Sequence, residues 1–319
     1  KNEKIIKPIN QLKLFGYKHY FDSFTKLYKR RKLSNIILLS GQKGIGKATF
    51  AFHFINYLLS TNENNKYLVD ELKINQNNFS YNHVVKGIHP NFFLLQNDVS
   101  DENIKIDQVR NLLKFLSKST FSENFKIVMI DNAEYLNINS SNALLKTLEE
   151  PNNNTFFFII QNSSSNILDT IKSRCIEFKF FFNLEDKKEI LKNIIKDYDL
   201  DFNLEDIADN FYFDSPGNLL NYLILFKNAN IDIGKDKPSC IFHLIEKYKS
   251  KKDFELLPII SLFIEQYYND LSINNINNVN HYFADKNKII NEISNMKKFN
   301  LDKKNLLISL KGIFENEAR

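Results

Sequence analysis

One stretch of sequence limits the fold more than any other: a short apolar run, then a glycine loop, then an apolar-patterned helix. Ile36 to Leu39 predict a buried parallel strand, and Ala48 to Leu59 carry apolar residues at helical spacing. Between them, Gly41, Gly46 and Lys47 match a loop whose backbone N–H groups surround a polyphosphate. Because the strand–loop–helix order distinguishes such a loop from a chance glycine match, we expect a P-loop α/β domain.

The loop departs from the full pattern at one position. The residue after the lysine should be Ser or Thr, because its hydroxyl coordinates Mg²⁺. Here that residue is Ala48, and the hydroxyl comes one position later, at Thr49. One residue is about 100° of rotation on a helix, so Thr49 is expected to point elsewhere.

A second pattern typical of nucleotide-binding proteins is the apolar run that ends in Asp131. A carboxylate at the tip of a buried strand can hold Mg²⁺ through water, although it can also cap a strand–turn junction. The next residue in a working ATPase of this type is Glu, and here it is Asn132. Asn cannot accept a proton, so general-base assistance of about 10²–10⁴-fold would be lost. Glu134 is the nearest acid, and its position two residues on predicts that it points away.

Strand and helix patterns alternate along the first half of the chain. The further strands are predicted at Phe92 to Gln96, Lys126 to Asp131, Thr155 to Ile160 and Cys175 to Phe180, with helices at Asp107 to Lys118 and Ser140 to Glu150. This alternation predicts a parallel five-stranded sheet covered on both faces. Gln161 and Asn162, at the end of the fourth strand, are either polar sensors of a phosphate or a simple turn. Residues 61–90 are interpreted as an insertion with one helix around Tyr67 to Leu72.

Helical patterns replace the strands after Phe182. We predict three domains: a nucleotide-binding-like domain at 1–182, a small helical lid at 183–230 and an all-α domain at 231–319. Ser215 is the expected N-cap of the last lid helix, with Pro216 as its first residue. The C-terminal helices are expected to be interrupted near Asn274 to Asn280.

Composition narrows the functional classes. A chain of 319 residues with 43% hydrophobic and 25% charged residues is typical of globular proteins, and no run of 18 apolar residues predicts a membrane span. The two cysteines, Cys175 and Cys240, exclude a Cys-based zinc site, argue against a disulfide framework and favour the cytoplasm. The net charge of +5 allows contact with nucleic acid without requiring it. The basic run from Lys29 to Lys32 is either a solvated helix end or a phosphate-contacting patch.

Two motifs resemble those of a known family. Ser140 to Pro151 resembles the signature helix of AAA+ clamp-loader subunits, and Ser173-Arg174-Cys175 resembles their SRC motif. Within that family the chain is similar to the delta-prime subunits of bacterial DNA polymerase III, at Gly44 to Thr49, His89-Pro90 and Asp107 to Arg110. The resemblance covers roughly residues 10 to 225. It implies an AAA+ domain, a lid and a helical collar in a hetero-oligomeric ring, part of the polymerase holoenzyme, that loads a sliding clamp on primed DNA.

The resemblance also implies a role for Arg174. In the family, the SRC arginine reaches into the ATP site of a neighbouring subunit, and Ser173 would position it. A guanidinium supplied in trans stabilises charge on the transferred phosphoryl group and contributes about 10³–10⁵ in rate. The alternative is an arginine that caps the helix predicted at 165–173.

Departures from the family pattern refine the expectation. Many relatives carry a four-cysteine zinc module near residues 61–88, where this chain has no cysteine, so no zinc is expected. The segment Asp214 to Asn218, where a sensor arginine is expected, contains none. With Ala48 and Asn132, these changes favour a subunit that does not hydrolyse ATP, needs no cofactor and serves its neighbour through Arg174. ATP or ADP binding at the loop stays open.

The candidate phosphate-binding residues are Gly41, Gly44, Gly46, Lys47, Thr49, Asp131 and Asn162, and no metal ligand is assigned. Two alternatives remain. The first is an active AAA+ ATPase subunit of a clamp loader or a related remodeller, with Thr49 or water replacing the missing Mg²⁺ ligand. The second is a DNA-binding module, which would show a steep salt dependence of DNA affinity.

Overall fold

The computed structural model describes residues 7–97, 103–118, 125–152, 154–163, 165–199, 214–229, 237–251 and 256–299 of the chain. These residues fall into two compact units: residues 7–199 together with 214–218, and the residues from Leu219 onward. The three-domain division at 182 and 230 stays a prediction.

A five-stranded parallel sheet forms the centre of the first unit. Its strands are β1 (Ile36–Gly41), β2 (Phe92–Leu95), β3 (Lys126–Ile130), β4 (Thr155–Asn162) and β5 (Ile176–Phe180). They lie in the order β2-β3-β4-β1-β5, and every pairing is parallel. Every residue of β1 and β3 is buried. Four apolar residues in a row, at 36–39 and at 127–130, make up most of each strand, as is typical of parallel strands covered on both faces. The predicted α/β class and the five-stranded parallel sheet are confirmed.

Helices cover the sheet. They are α1 (Lys18–Lys29), α2 (Lys47–Leu59), α3 (Phe79–Val85), α4 (Ile106–Ser117), α5 (Ile138–Glu149), α6 (Asp169–Lys172) and α7 (Leu184–Asp197). The helices predicted after the glycine loop, before β3 and before Pro151 are confirmed within two residues. The helix predicted at 165–173 is shorter than expected, since only Asp169–Lys172 is helical among its described residues.

Aromatic side chains fix the glycine loop's helix against the sheet. Phe24 on α1, Phe50 on α2 and Phe180 on β5 pack edge to face, with ring centroids 5.0 Å apart for Phe24–Phe50 and 4.9 Å for Phe50–Phe180. Such pairs contribute about 0.5–1.5 kcal/mol each beyond their buried area. The start of α2 is therefore anchored by a rigid core.

The insertion before β2 differs from its prediction. Leu68 and Lys73 form an antiparallel bridge, and Leu72 takes a left-handed backbone (φ 49), so no helix forms at Tyr67 to Leu72. The helix of this segment is α3, which begins after Asn78 because the Asn78 side chain accepts a hydrogen bond from the Tyr81 N–H at 2.7 Å. Its cap, rather than apolar spacing, determines where the helix lies.

Lys126 joins α4 to the start of β3. Its side chain is buried, and its ammonium donates to the carbonyls of Phe115 at 2.7 Å and Leu116 at 3.1 Å, and also to that of Lys118. These carbonyls lie at the end of α4, where helix carbonyls lack the usual i+4 donor, although that of Phe115 also accepts from the Lys118 N–H. The buried ammonium thus supplies hydrogen-bond donors to the helix terminus, and these hydrogen bonds offset part of the cost of removing the ammonium from water.

The remaining described residues are helical. α8 (Pro216–Ala229) begins at Pro216, and the Asn218 N–H donates to Ser215 Oγ at 3.3 Å, so the predicted cap is confirmed. It is followed by α9 (Lys237–Lys251), α10 (Leu256–Asn274), a short 3-10 turn (Ile276–Asn278) and α11 (Val279–Phe299). The predicted interruption after Asn274 is confirmed. Residues 200–213 of the predicted lid lie outside the described part of the chain.

Candidate functional site

The glycine loop lies at the carboxyl edge of the sheet, as its sequence predicts. Gly41 is the last residue of β1 and pairs in register with Asn162 of β4 and Phe180 of β5. Gly46 is the N-cap of α2 with a left-handed backbone (φ 100), and Lys47 is the first helical residue. The loop is held from outside by Tyr17, whose hydroxyl donates to the Ile45 carbonyl at 2.9 Å.

Lys47 is buried and bonded entirely within the chain. Its ammonium donates to the carbonyls of Gly41 and Gln42, both at 2.9 Å, and to Asn162 Oδ1 at 3.0 Å. An ammonium has three N–H donors, so these acceptors use all of them. Burial lowers the pKa of Lys47 to about 8, although the nearby carboxylates of Glu134 and Asp131 oppose this shift.

The two polar residues at the end of β4 have different partners. Gln161 donates through Nε2 to the Ser165 carbonyl in its own turn. Asn162 instead bonds Lys47 through Oδ1 and donates through Nδ2 to Glu134 Oε1. Only Asn162 therefore joins the candidate site, and Gln161 has the turn role that was the alternative.

Asp131 and Glu134 bring negative charge to the same place. Asp131 directly follows β3, and burial raises the pKa of its carboxyl to about 6. Asn132 then takes a left-handed backbone (φ 54), and Ala133–Tyr135 form a 3-10 turn. The chain turns there, so the turn and not the line of the strand sets the direction of the Glu134 side chain. The expectation that Glu134 points away is therefore wrong, because its carboxylate contacts Asn162.

Glu134 is the residue that sequence reasoning missed. One of its oxygens, Oε1, accepts from Asn162, whereas Oε2 is buried and has no hydrogen-bond partner among the described residues. The sequence signal that could have identified it was Asn132, since Asn is among the few residues that tolerate a left-handed backbone. A turn predicted at Asn132 would have removed the reason to expect Glu134 to point away from the site.

Ala48 and Thr49 occupy the second and third positions of α2, and both are half-buried. The hydroxyl is therefore one helical position removed from where the full pattern has it, about 100° around the axis. The role of Thr49 in phosphate binding stays a prediction.

A segment of the lid sequence packs directly on the glycine loop. The Gly217 N–H donates to the Gly44 carbonyl at 2.9 Å. A Cβ added at Gly44 would lie 2.3 Å from Ser215 Oγ, and one added at Gly217 would lie 2.4 Å from the Gly44 carbonyl oxygen. Within the segment, Asp214 accepts from the Ser215 N–H at 2.7 Å and from Asn218 Nδ2 at 2.8 Å. An arginine side chain at position 217 has no room in this arrangement.

Arg174 and Ser173 lie apart from this cluster. Ser173 is exposed after α6, and Arg174 lies just before β5 with 28% of its side chain accessible. The Arg174 guanidinium donates to the Thr170 carbonyl and pairs with the Glu149 carboxylate at the end of α5. The bond to Thr170 matches the helix-capping alternative, and the accessible surface leaves the guanidinium able to meet another molecule.

The two groups of candidate residues lie at opposite ends of β5. Gly41 pairs with Phe180, the last residue of β5, whereas Arg174 precedes its first residue, Ile176. A strand of this length spans about 13 Å between those ends. The structure thus brings together Gly41, Gly46, Lys47, Asp131 and Asn162, adds Glu134, and separates them from Arg174 and Ser173.

Among the described residues, no group of three or more His, Cys, Asp or Glu side chains could hold a metal ion. None of the helices in the described ranges is long and apolar enough to cross a membrane.

Comparison with known proteins agrees with this geometry. Residues 16–182, more than half of the chain, match the model of the family "DNA polymerase III, delta subunit". The DNA polymerase III subunit delta' of Pseudomonas aeruginosa is 34% identical over 154 residues, which are 48% of this chain and 45% of the relative. The DNA polymerase III subunit gamma of Buchnera aphidicola (subsp. Schizaphis graminum) is 28% identical over 234 residues, or 71% of this chain and 62% of that one. The chain thus covers less than two thirds of either relative.

Among solved structures, a DNA polymerase III gamma subunit-related protein from Thermotoga maritima aligns with 93% of this chain and 99% of its own, at 16% identity and a TM-score of 0.45. The class of protein is defined by the parallel sheet, the glycine loop at its carboxyl edge and Asp131 directly after β3: a P-loop α/β domain. The chain belongs to the DNA polymerase III delta family, as a delta-prime-like clamp-loader subunit. The resemblance identified from the sequence is confirmed.

Proposed function

We propose that this chain is a subunit of the DNA polymerase III clamp loader that does not hydrolyse ATP and supplies Arg174 to the ATP site of a neighbouring subunit. The observation that carries the proposal is the position of Arg174. It is partly exposed and lies beyond the far end of β5 from the chain's own glycine loop. An arginine placed there acts on another molecule rather than on its own site.

The residues at the chain's own loop fit Mg²⁺–ATP poorly. Ala48 offers no hydroxyl for the metal, and Asn132 offers no base. Lys47 already donates all its N–H groups to oxygens of the chain. We therefore derive no catalytic step at this loop and assign it no required cofactor.

Arg174 is suited to a role in trans. Guanidinium is planar and always charged, and it can bind a phosphoryl group through two parallel hydrogen bonds. The contacts with Thr170 and Glu149 hold one side of the group in place and reduce the entropy lost when the other side meets a partner. Ser173 lies beside it, with its Oγ 3.5 Å from Arg174 Nη1.

This role implies a set of partners. The neighbours would be other clamp-loader subunits in a hetero-oligomeric ring, acting on a sliding clamp and on primed DNA in the cytoplasm. Support comes from the family and from relatives named DNA polymerase III subunits delta' and gamma.

The test is ATP turnover by the assembled clamp loader with Arg174→Ala in this chain. Turnover at the site that Arg174 completes is expected to fall by about 10³-fold or more, with assembly unchanged by size-exclusion chromatography. Arg174→Lys should not restore it, since Lys lacks the planar fork. Arg110→Ala is the matched control, because Arg110 is an arginine on α4 that is 64% exposed and paired with Asp107. Unchanged turnover in an assembled Arg174→Ala complex would refute the assignment.

A second function, an active ATPase subunit, is favoured by one observation: the Glu134 carboxylate lies beside Asn162 in the loop cluster. Steady-state ATP hydrolysis by the purified chain, with and without primed DNA, decides between the two. No turnover above buffer supports the first proposal. Turnover that disappears in both Lys47→Ala and Glu134→Gln supports the second.

A further inference from the structure

Lys47, Asn162 and Glu134 form a continuous chain of contacts, called here the triad. Glu134 Oε1 accepts from Asn162 Nδ2, and Asn162 Oδ1 accepts from Lys47 Nζ at 3.0 Å. Lys47 and Asn162 are 4% and 9% exposed. The residues come from the turn after β3, the end of β4 and the start of α2, so the triad joins three elements.

Glu134 decides which way the Asn162 amide faces. A carboxylate accepts hydrogen bonds only, so it must meet the NH₂ group of Asn162. The amide oxygen is then turned toward the ammonium of Lys47. The reverse orientation would place NH₂ against ammonium and oxygen against carboxylate, and both contacts are repulsive. Through Asn162, Glu134 therefore supplies the third acceptor of Lys47.

The triad competes with any phosphate for Lys47. A phosphate oxygen can reach the ammonium only if one of its three acceptors leaves. It must also approach the carboxylate of Glu134, whose second oxygen is buried and has no partner among the described residues. Buried charges of like sign repel more strongly than exposed ones, because the local dielectric is low. Both effects weaken phosphate binding.

We propose that Glu134 is a positioning residue that keeps the phosphate loop closed, by holding Asn162 against Lys47 and by placing a fixed negative charge where a phosphate would bind. This rests on the proposed function, because it gives a reason why a chain with an intact loop lysine does not turn over ATP. The chain's own groups occupy the loop. Glu134 therefore lowers the affinity of the loop for polyphosphate, in addition to the effect of Ala48.

The experiment is isothermal titration calorimetry of the full chain with inorganic tripolyphosphate and with ATP, without Mg²⁺. Hydrogen bonds to charged groups are worth enough that Glu134→Ala should bind tripolyphosphate about 10- to 100-fold more tightly than the wild type. Glu134→Gln keeps an acceptor for Asn162 but removes the charge, so its affinity for tripolyphosphate should lie between those of the wild type and Glu134→Ala. Glu150→Gln, an exposed carboxylate on the same unit, is the control for net charge and should not change affinity.

The double variant Glu134→Ala/Lys47→Met separates the triad from a general effect, because the gain must vanish when the lysine is removed. A thermal melt of each variant establishes that it is folded. Equal affinity in wild type and Glu134→Ala, undetectable binding in both, or a gain that survives Lys47→Met would overturn the proposal. So would a Glu134→Ala chain that loses an ATPase activity present in the wild type. The Arg174 experiment uses chains with Glu134 intact, so either proposal can fail without the other.

Discussion

At the scale of single residues, the contact between Gly44 and Gly217 restricts side-chain size at both positions. The Gly217 N–H and the Gly44 carbonyl are hydrogen-bonded at 2.9 Å, so the two backbones approach each other without any side chain between them. The sequence shows only that the expected arginine is missing from this segment. The structure adds a steric reason, since a Cβ at position 217 would lie 2.4 Å from a backbone oxygen.

Gly217→Ala tests this contact. In a helix, Ala is normally favoured over Gly by about 0.8–1 kcal/mol, and Gly217 is the second residue of α8. We expect the opposite sign, a loss of about 1–3 kcal/mol, because the added methyl overpacks against the Gly44 backbone. The measurement is the free energy of unfolding in urea.

Asn139→Ala is the control for that experiment. Asn139 is exposed in the first turn of α5, where replacement should change stability by less than about 0.5 kcal/mol. If Gly217→Ala were stabilising, the close approach of the two glycine backbones would not exist in solution.

The candidate site was predictable residue by residue to different degrees. The places of Lys47 and Asp131 could be predicted, because the glycine loop and the strand-end acid are sequence patterns that fix where these residues lie in the fold. The place of Glu134 could not, because it depends on the left-handed backbone at Asn132, where the chain leaves the line of the strand and turns. The partner of Asn162 likewise depends on that turn.

At the scale of elements, strands were easier to predict than helices and connections. β1 and β3 are buried at every position, and four consecutive apolar residues mark each of them, at 36–39 and at 127–130. α3 was predicted in the wrong place, since its start depends on a side-chain cap at Asn78 and not on apolar periodicity. Contacts such as that of Lys126 with the end of α4 leave no local signal in the sequence at all.

Lys126→Met should loosen the junction between α4 and β3. Met matches the length of the side chain but leaves the carbonyls of Phe115 and Leu116 without their charged donor. Hydrogen bonds to charged groups contribute about 1.5–3 kcal/mol, and the apolar replacement recovers part of this by relieving burial of the ammonium. We expect a net loss of about 1–2 kcal/mol in urea unfolding.

Lys114→Met provides the comparison for Lys126→Met. Lys114 lies in the last turn of α4, so like Lys126 it brings a positive charge to the helix end, but its side chain is exposed. Its replacement should cost no more than a few tenths of a kcal/mol. Equal losses in the two variants would mean that the charge near the helix end matters and the buried contact does not.

At the scale of the whole molecule, two buried histidines link stability to pH. His53 accepts at Nδ1 from the Tyr67 hydroxyl and donates at Nε2 to the Gln11 carbonyl, each at 2.9 Å. Burial lowers its pKa to about 3, and burial lowers the pKa of His89 to about 4. Both are neutral when folded, whereas unfolded histidine binds a proton near pH 6.5.

The sign of the pH dependence follows from these values. Below pH 6.5 the unfolded chain binds more protons than the folded one, so stability falls as pH falls. Each histidine contributes a loss of about 2 kcal/mol between pH 7.5 and pH 5. Asp131 acts in the opposite direction, because its raised pKa of about 6 lets the folded chain take up a proton first.

The measurement is the free energy of unfolding at several pH values between 4.5 and 7.5, for wild type and His53→Gln. Removing one buried neutral histidine should reduce the slope by about 1.4 kcal/mol per pH unit in the window between the folded and unfolded pKa values. His19→Gln, at an exposed position on α1, should leave the slope unchanged. Parallel slopes for wild type and His53→Gln would mean that His53 titrates normally in the folded chain.

The separation of Arg174 from the glycine loop along β5 has a consequence for any assembly built from such units. Under the proposed function, each subunit would have two unlike ends: the glycine loop, which receives an arginine from a neighbour, and Arg174, which is supplied to one. A subunit whose glycine loop is closed by its own residues would only supply an arginine. In a ring of similar subunits, each active site would need an arginine from the next subunit, but this chain would have no active site of its own to complete. The order of active sites around the ring would therefore have a defined first member.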